Sequence, residues 1–278
     1  MTNAKVEDPR TVLTVEALKD FQTCALLYDY RHLNRRYEPI ARSEELALRY
    51  ENVMKKIVSF YFYKKQSGIV PSVSALMNRW EKNWFPKDMT AHDLAVEQHE
   101  IQGGNLVSFS AEATRALLRF YEEFTPDNSD PMLINEDYIV PITDEIHLTG
   151  SFDLVLRDQR GNHTVIKWVT SPKRVTPSGM MLDFAALRTA FDYRNDGRPL
   201  KVTYGYYDLV TASKFGFHTF EVDRADVNAL AFWAEEAAET KVFAPRRGLT
   251  SYCRGCPFDL PCKEFVMTEQ MLKVKRES

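Results

Sequence analysis

The chain has 278 residues, 44% of them hydrophobic and 27% charged, with a net charge of -3. That supply of apolar side chains suits a sizeable core and excludes wholesale disorder, while 11 glycines and 13 prolines exclude a low-complexity or collagen-like chain. No apolar run approaches the roughly 18 residues of a membrane span, and the polar stretch Met1 to Arg10 has no signal-peptide core. These features point to a protein of the reducing cytoplasm with no membrane contact. Basic and acidic residues nearly balance, so no global signal announces nucleic acid, although a local basic cleft is still allowed.

Thr14 can cap a first helix running through Val15, Leu18, Phe21, Leu26 and Tyr30, which are apolar at helical spacing. Ser43 opens a second helix, from Glu44 to Gln66, ending in Lys64-Lys65 as the macrodipole favours. Helical segments follow at Ser72 to Trp84 and Ser110 to Phe124, and the apolar run Ile57 to Tyr63 reads as helix packing. After the turn-rich Thr125 to Pro131 the character changes. Ile134 to Ile142, Ile146 to Arg157 and His163 to Thr170 have strand composition, with Arg160-Gly161-Asn162 as the turn of a hairpin. A helix from Leu182 to Tyr193, strands at Lys201 to Asp208 and Phe215 to Val222, and a helix from Asp223 to Val242 complete the pattern. The expectation is a mixed α/β (α+β) fold with a helical insertion. Its expected parts are an N-terminal helix (1–40), the insertion (41–128), an α/β core (129–245) and a cysteine loop with a tail (246–278).

Cys253, Cys256 and Cys262 form a CxxCx5C cluster, in which the two-residue gap lets both thiolates turn toward one centre and the longer arm supplies a third. Cys24, on the first helix, is the one other cysteine and completes a set of four. Four cysteines in a reducing compartment favour a metal site over disulfides. Four thiolates suit either zinc or an iron–sulfur cluster, and spacing alone does not choose. Either would close a very long loop of chain.

An N-terminal cysteine combined with CxxCx5C near the C-terminus resembles the iron–sulfur nucleases of the RecB-like branch of the PD-(D/E)XK superfamily, of the AddB, CRISPR-adaptation and phage exonuclease type. Phe21-Gln22-Thr23-Cys24-Ala25-Leu26-Leu27-Tyr28 looks like that family's first-helix segment. Glu136-Asp137-Tyr138 and Leu148-Thr149-Gly150-Ser151-Phe152-Asp153-Leu154-Val155 look like its paired strands carrying E…GxxD, and Leu200 to Asp208 like a later core strand. The resemblance implies a restriction-endonuclease-like core and a [4Fe-4S] cluster on Cys24, Cys253, Cys256 and Cys262, with zinc as the alternative. It also implies metal-assisted phosphodiester hydrolysis on Mg²⁺ or Mn²⁺ held by carboxylates.

The acids that chemistry needs are incomplete. Asp153 matches the first. The next strand should read (D/E)xK, but Lys167 stands at the acid and Val169 at the lysine. Met54 stands in the helix where a metal-binding histidine belongs, and Asp183 to Tyr193 contains no glutamine for the later QxxxY helix. An acid-to-lysine change alters the local charge by about two units where a divalent cation would sit. Lys167 is therefore expected to pair with Asp153, unless Glu136, Asp183 or Lys173 restores a site. The leading expectation is a non-cleaving nuclease-fold protein that binds DNA or another protein, possible within a larger assembly; the alternative is an active exonuclease with relocated ligands. Lys173-Arg174, Arg246-Arg247, Arg254, Lys273, Lys275 and Arg276 could border a DNA groove, with Trp168 or Tyr252 stacking on bases.

Overall fold

The computed structural model describes residues 11–35, 42–85, 106–170, 175–195, 201–220 and 224–245, together with Cys253, Cys256, Phe258 and Cys262. In chain order its elements are β1 (Val12–Thr14), α1 (Val15–Thr23), α2 (Ala25–Tyr28), a π-helical turn (Asp29–Leu33), α3 (Arg42–Gln66), α4 (Val73–Trp84), α5 (Leu106–Phe124), β2 (Asp130–Pro141), β3 (His147–Arg157), β4 (His163–Val169), α6 (Pro177–Arg194), β5 (Val202–Asp208), β6 (Ser213–Phe220) and α7 (Arg224–Glu239). No helix among the described residues is long and apolar enough to cross a membrane.

Capping residues explain several helix starts. Thr14 Oγ1 accepts from Ala17 N (3.0 Å), and Thr176 Oγ1 accepts from Gly179 N (3.0 Å) with Pro177 in the first turn. This second cap starts α6 five residues before the expected Leu182. The expected first helix is instead broken at Cys24, whose backbone is extended (φ -164°, ψ 118°). Asp20 O still accepts the Cys24 N–H at 2.8 Å, so the break is capped rather than frayed.

The six strands make one mixed sheet with β3 as its spine. β2 runs antiparallel along one side of β3, from Asp130↔Arg157 to Pro141↔His147. The other side is shared: β1 pairs in parallel with His147 to Thr149, and β4 pairs antiparallel with Leu154 to Arg157. Gly150 to Asp153 thus lie where the sheet forks. β5 continues parallel to β4, and β6 closes antiparallel on β5. The β3–β4 turn holds Gly161 at φ 81°, in the left-handed region that suits glycine.

Each sheet face buries its own core. α1, α6 and α7 cover one face, with Leu18, Phe21, Phe184, Ala186 and Ala234 against Leu148, Val155, Val165 and Tyr206. α3, α4 and α5 cover the other, with Ile57, Phe62, Trp80 and Phe120 against Leu154, Ile166, Trp168 and Tyr207. The helical segment between α2 and β2 is therefore packed on the sheet, and Ile57, Val58, Tyr61 and Phe62 are buried as helix-packing residues.

Strand alternation slips once, and the slip positions the site. Leu154 and Leu156 face the α3–α5 core, so period-two alternation would place Phe152 there too. Phe152 packs instead with the α1 and α6 core. β2 slips with it: the register keeps both Ile134↔Leu154 and Glu136↔Phe152, and the intervening Asn135 has φ 48°. Asparagine tolerates that conformation, and its Nδ2 donates to Ser59 Oγ on α3 at 2.7 Å. Opposite this double slip sits Asp153.

Candidate active site and cysteine centre

A cleft of about 610 Å³ opens at the fork of the sheet, lined among others by Glu16, Lys55, Asp137, Tyr138, Asp153 and Lys167. Asp153 is buried at 9% exposure, and its Oδ2 accepts the backbone N–H of Trp168 at 2.9 Å, closing β3 onto β4 where the ladder ends. Burial pushes its carboxyl above the ordinary range; Lys55 and then Lys167 oppose this, while Glu51 adds to it. On α3, Lys55 Nζ lies 2.8 Å from Glu51 Oε1, and Thr170 Oγ1 donates to Glu51 Oε2 at 2.7 Å.

Lys167 does not make its ion pair with Asp153, which corrects the pairing expected from the sequence. Its Nζ donates to Asp183 Oδ1 at 2.6 Å and stands 3.6 Å from Glu16 Oε1. Asp183 descends from α6 and is 2% exposed, and its other oxygen receives Lys19 from α1 and the Tyr206 hydroxyl (2.5 Å) from β5. The physical reason is direction: the Trp168 N–H draws the Asp153 carboxylate onto the strand end. Lys167 alternates with Val165 and Val169 toward the face that α6 covers. Burial alone would raise the Asp183 carboxyl, but Lys167 and then Lys19 reverse it, and it lies below the usual range. The Lys167 ammonium is correspondingly raised: burial would lower it, and Asp183 and Glu16 outweigh burial.

The other expected positions fall as follows. Val169 packs at the edge of the α1–α6 core, and Met54 is buried in the α3–α5 core. Glu136 pairs with Arg194 at 2.5 Å rather than with the cleft carboxylates. Trp168 cannot stack on bases: it shares the Ile166 face and is 1% exposed beneath Phe62, Phe120 and Phe124. Lys173, Arg174, Arg246, Arg247, Tyr252, Arg254, Lys273, Lys275 and Arg276 lie outside the described residues.

Cys24, Cys256 and Cys262 pack against one small apolar cluster of Leu26, Leu27, Tyr30 and Phe258. The Tyr30 and Phe258 rings meet edge-on at 5.2 Å, and Cys262 N donates to Phe258 O at 2.9 Å. Burial raises the Cys256 thiol; the Phe258 backbone N–H and Arg31 pull it down, while Cys24 and Cys253 push it further up. All four cysteines are half-buried and outside any disulfide. Their soft sulfur donors suit zinc or an iron–sulfur cluster. Among the described residues, no group of three or more His, Cys, Asp or Glu side chains is placed to hold a metal ion. The sulfur chemistry of the donors, and the apolar cluster that Cys24, Cys256 and Cys262 share, suit a metal group.

A family model described as the PD-(D/E)XK nuclease superfamily matches residues 12–263. The chain belongs to that superfamily. Two solved structures are similar at low identity. A candidate exonuclease from Eubacterium rectale is 14% identical over 91% of this chain and 92% of its own, with a TM-score of 0.48. The protein SSO0001 is 12% identical over 91% of this chain and 85% of its own, with a TM-score of 0.38. No curated protein matches the chain.

In this superfamily member the sequence reading missed Lys19, Glu51, Lys55 and Tyr206. Glu51 and Lys55 carried one faint signal, the four-residue spacing of a helical ion pair. Lys19 and Tyr206 carried none, because only the packing of α1 and β5 against α6 brings them to Asp183.

Proposed function

We propose that the protein is a RecB-like, iron–sulfur-type member of the superfamily whose cleavage site is degenerate, and that it serves as a binding or scaffold component. The observation that carries this reading is the Lys167–Asp183 ion pair at 2.6 Å, with Lys19 and Tyr206 on the same carboxylate. A lysine stands where the resemblance calls for a metal-binding acid. The acid best placed to replace it, Asp183, already serves two ammonium groups and a phenol. Asp153 alone is not a Mg²⁺ site, because that ion takes one or two carboxylates together with waters in a near-octahedral shell.

Cys24, Cys253, Cys256 and Cys262 would hold a [4Fe-4S] cluster, with zinc as the alternative metal. Such a group would tie the α1–α2 junction to the C-terminal loop and supply a charged centre there. The chain's own residues do the local work: Leu26, Leu27, Tyr30 and Phe258 exclude water, and Cys24 leaves the helix at the break that Asp20 caps.

Of the two partners, DNA and protein, the described cleft residues favour protein. Lys19 and Lys167 are taken up by Asp183 and Lys55 by Glu51, while Glu16 and Asp137 add negative charge at the cleft. Phosphate binding needs cations that are not already neutralised. The relocated-ligand exonuclease draws on a separate feature: Glu51, held by Lys55 and Thr170 on α3, adds its charge to the burial that raises the Asp153 carboxyl.

The test is a nuclease assay on single- and double-stranded DNA with Mn²⁺, run beside DNA binding in chelator. No cleavage above an Asp153→Ala control supports the proposal, and salt-sensitive binding would then make DNA the partner. Mn²⁺-dependent cleavage that Asp153→Ala abolishes moves the exonuclease to first place.

A further inference from the structure

The seam between α3 and α4 carries a row of cations outside both the cleft and the cysteine centre. The two helices run antiparallel there: Arg79 on α4 meets Phe60 on α3, and Trp84 meets Arg49 near the start of α3. The Arg79 guanidinium lies 4.2 Å from the Phe60 ring centroid, and Lys64 Nζ reaches the same ring at 6.0 Å. The Arg49 guanidinium lies 5.3 Å from the Trp84 ring and donates to Trp84 O. Lys56, Phe60 and Lys64 recur every fourth residue and share one face of α3, which Arg49 continues two turns earlier. The row spans about 22 Å of helix, at about 1.5 Å per residue.

Lys56, Lys64 and Arg79 are exposed and Arg49 is half-buried, and none of them has an ion pair among the described residues. The contrast is with Lys19, Lys55, Lys167, Arg188 and Lys214, each of which is held by an acid. Glu45 stands one turn before Arg49, at the end of the row, and Glu81 lies about 200° round α4 from Arg79. A ring beneath a cation holds it in place without neutralising its charge. Phe60 and Trp84 therefore position positive charge along the seam and leave it available. Lys55, which lines the cleft, lies about 100° round α3 from Lys56.

We propose that this seam binds the phosphate backbone of a nucleic acid, independently of base sequence. A narrow row of unneutralised cations matches a linear polyanion, and its ammonium and guanidinium groups release condensed counterions on binding. Lysine is depleted at the centre of protein–protein interfaces, whereas nucleic-acid interfaces are rich in positive charge. The site goes beyond the binding-component reading and depends on neither the chemistry of the cleft nor the cysteine centre.

The experiment measures anisotropy of labelled single-stranded and duplex oligonucleotides against salt, in chelator, with full-length protein. Arg49, Lys56, Lys64 and Arg79 each on one phosphate give a slope of log K against log salt of about -3 for a single strand and about -4 for a duplex. Replacing both Lys56 and Lys64 by Gln should remove about half of that slope and weaken binding equally for unrelated sequences. Replacing both by Arg should restore the slope. The lysines are exposed, so the melting temperature should stay at the wild-type value in both variants. Lys55→Met, in the cleft, should bind as the wild type does. A wild type that binds neither oligonucleotide at low salt, or a Gln double variant with unchanged affinity and slope, overturns the inference. A loss in Lys55→Met as large as in the double variant places the polyanion in the cleft and also overturns it. Polyglutamate that competes as well as the oligonucleotide at equal charge, through the same two lysines, makes an acidic protein segment the partner and overturns the nucleic-acid assignment.

Discussion

Replacing Lys167 by Met tests the altered face of the cleft without adding a charge. Asp183 is 2% exposed and keeps two donors in the variant: Lys19, whose side chain is 28% exposed, and the Tyr206 hydroxyl. One charge-assisted hydrogen bond is lost, so the expected cost is about 1.5–3 kcal/mol. Asp183→Asn should cost more, about 3–5 kcal/mol, because it strands Lys167 with only Glu16 at 3.6 Å and also deprives Lys19. The double variant leaves fewer orphaned charges, and its cost should fall short of the sum by about 0.5–3 kcal/mol. The acid limb carries the sign. The Asp183 carboxyl is depressed in the folded protein, so its stabilisation is present above the unfolded value of about 3.9. It fades as pH falls through the lower, folded value, and Asp183→Asn should flatten that part of the profile. Urea unfolding across neutral to acid pH measures all of this. Strict additivity of the two single changes, or an acid slope untouched by Asp183→Asn, would refute the reasoning.

Asp153→Asn should be more stable than the wild type at neutral pH. The folded carboxyl is raised by burial, so its contribution is present at low pH and lost as pH rises through the folded value; an amide oxygen can still accept the Trp168 N–H. Thermal melts at two pH values check whether the advantage shrinks in acid. Gly150→Ala would place a Cβ 2.4 Å from the Tyr138 hydroxyl oxygen, so the ring must shift, at about 1–3 kcal/mol. Adding Tyr138→Ala should recover part of that loss in urea unfolding. Changing any one of Cys24, Cys253, Cys256 or Cys262 to Ser should lower the iron content and the melting temperature of anaerobic preparations. Zinc without iron in the wild type would defeat the cluster while leaving the four-ligand site standing.

Local chemistry made much of the fold legible. The β3–β4 hairpin announced itself by strand composition and the Arg160-Gly161-Asn162 turn, and Thr14 and Ser72 stand at the helix starts where capping residues belong. β1 escaped because three residues cannot display a period, and its pairing with His147 to Thr149 is entirely long-range. The break at Cys24 escaped because neither glycine nor proline marks it. At the cleft, the expectation that Lys167 stands at the acid and Val169 at the lysine came from the family resemblance, through the Thr170-Ser171 that follows them. The partner of Lys167 was not legible, because a helix face meets a strand only through tertiary packing. The Trp168 stacking expectation failed on a rule already available: Trp168 alternates with Ile166, and one strand face buries both.

The central claim is that the cleft no longer holds a catalytic divalent metal, and a thermal melt with and without saturating Mn²⁺ tests it most directly. A site filled to 100 times its dissociation constant would stabilise the fold by about 2.7 kcal/mol. For a chain of this size that is a rise in melting temperature of about 5 °C. The account predicts no Mn²⁺-dependent rise in the wild type, and the same behaviour in Asp153→Ala. A rise of that size in the wild type that disappears in Asp153→Ala would contradict it.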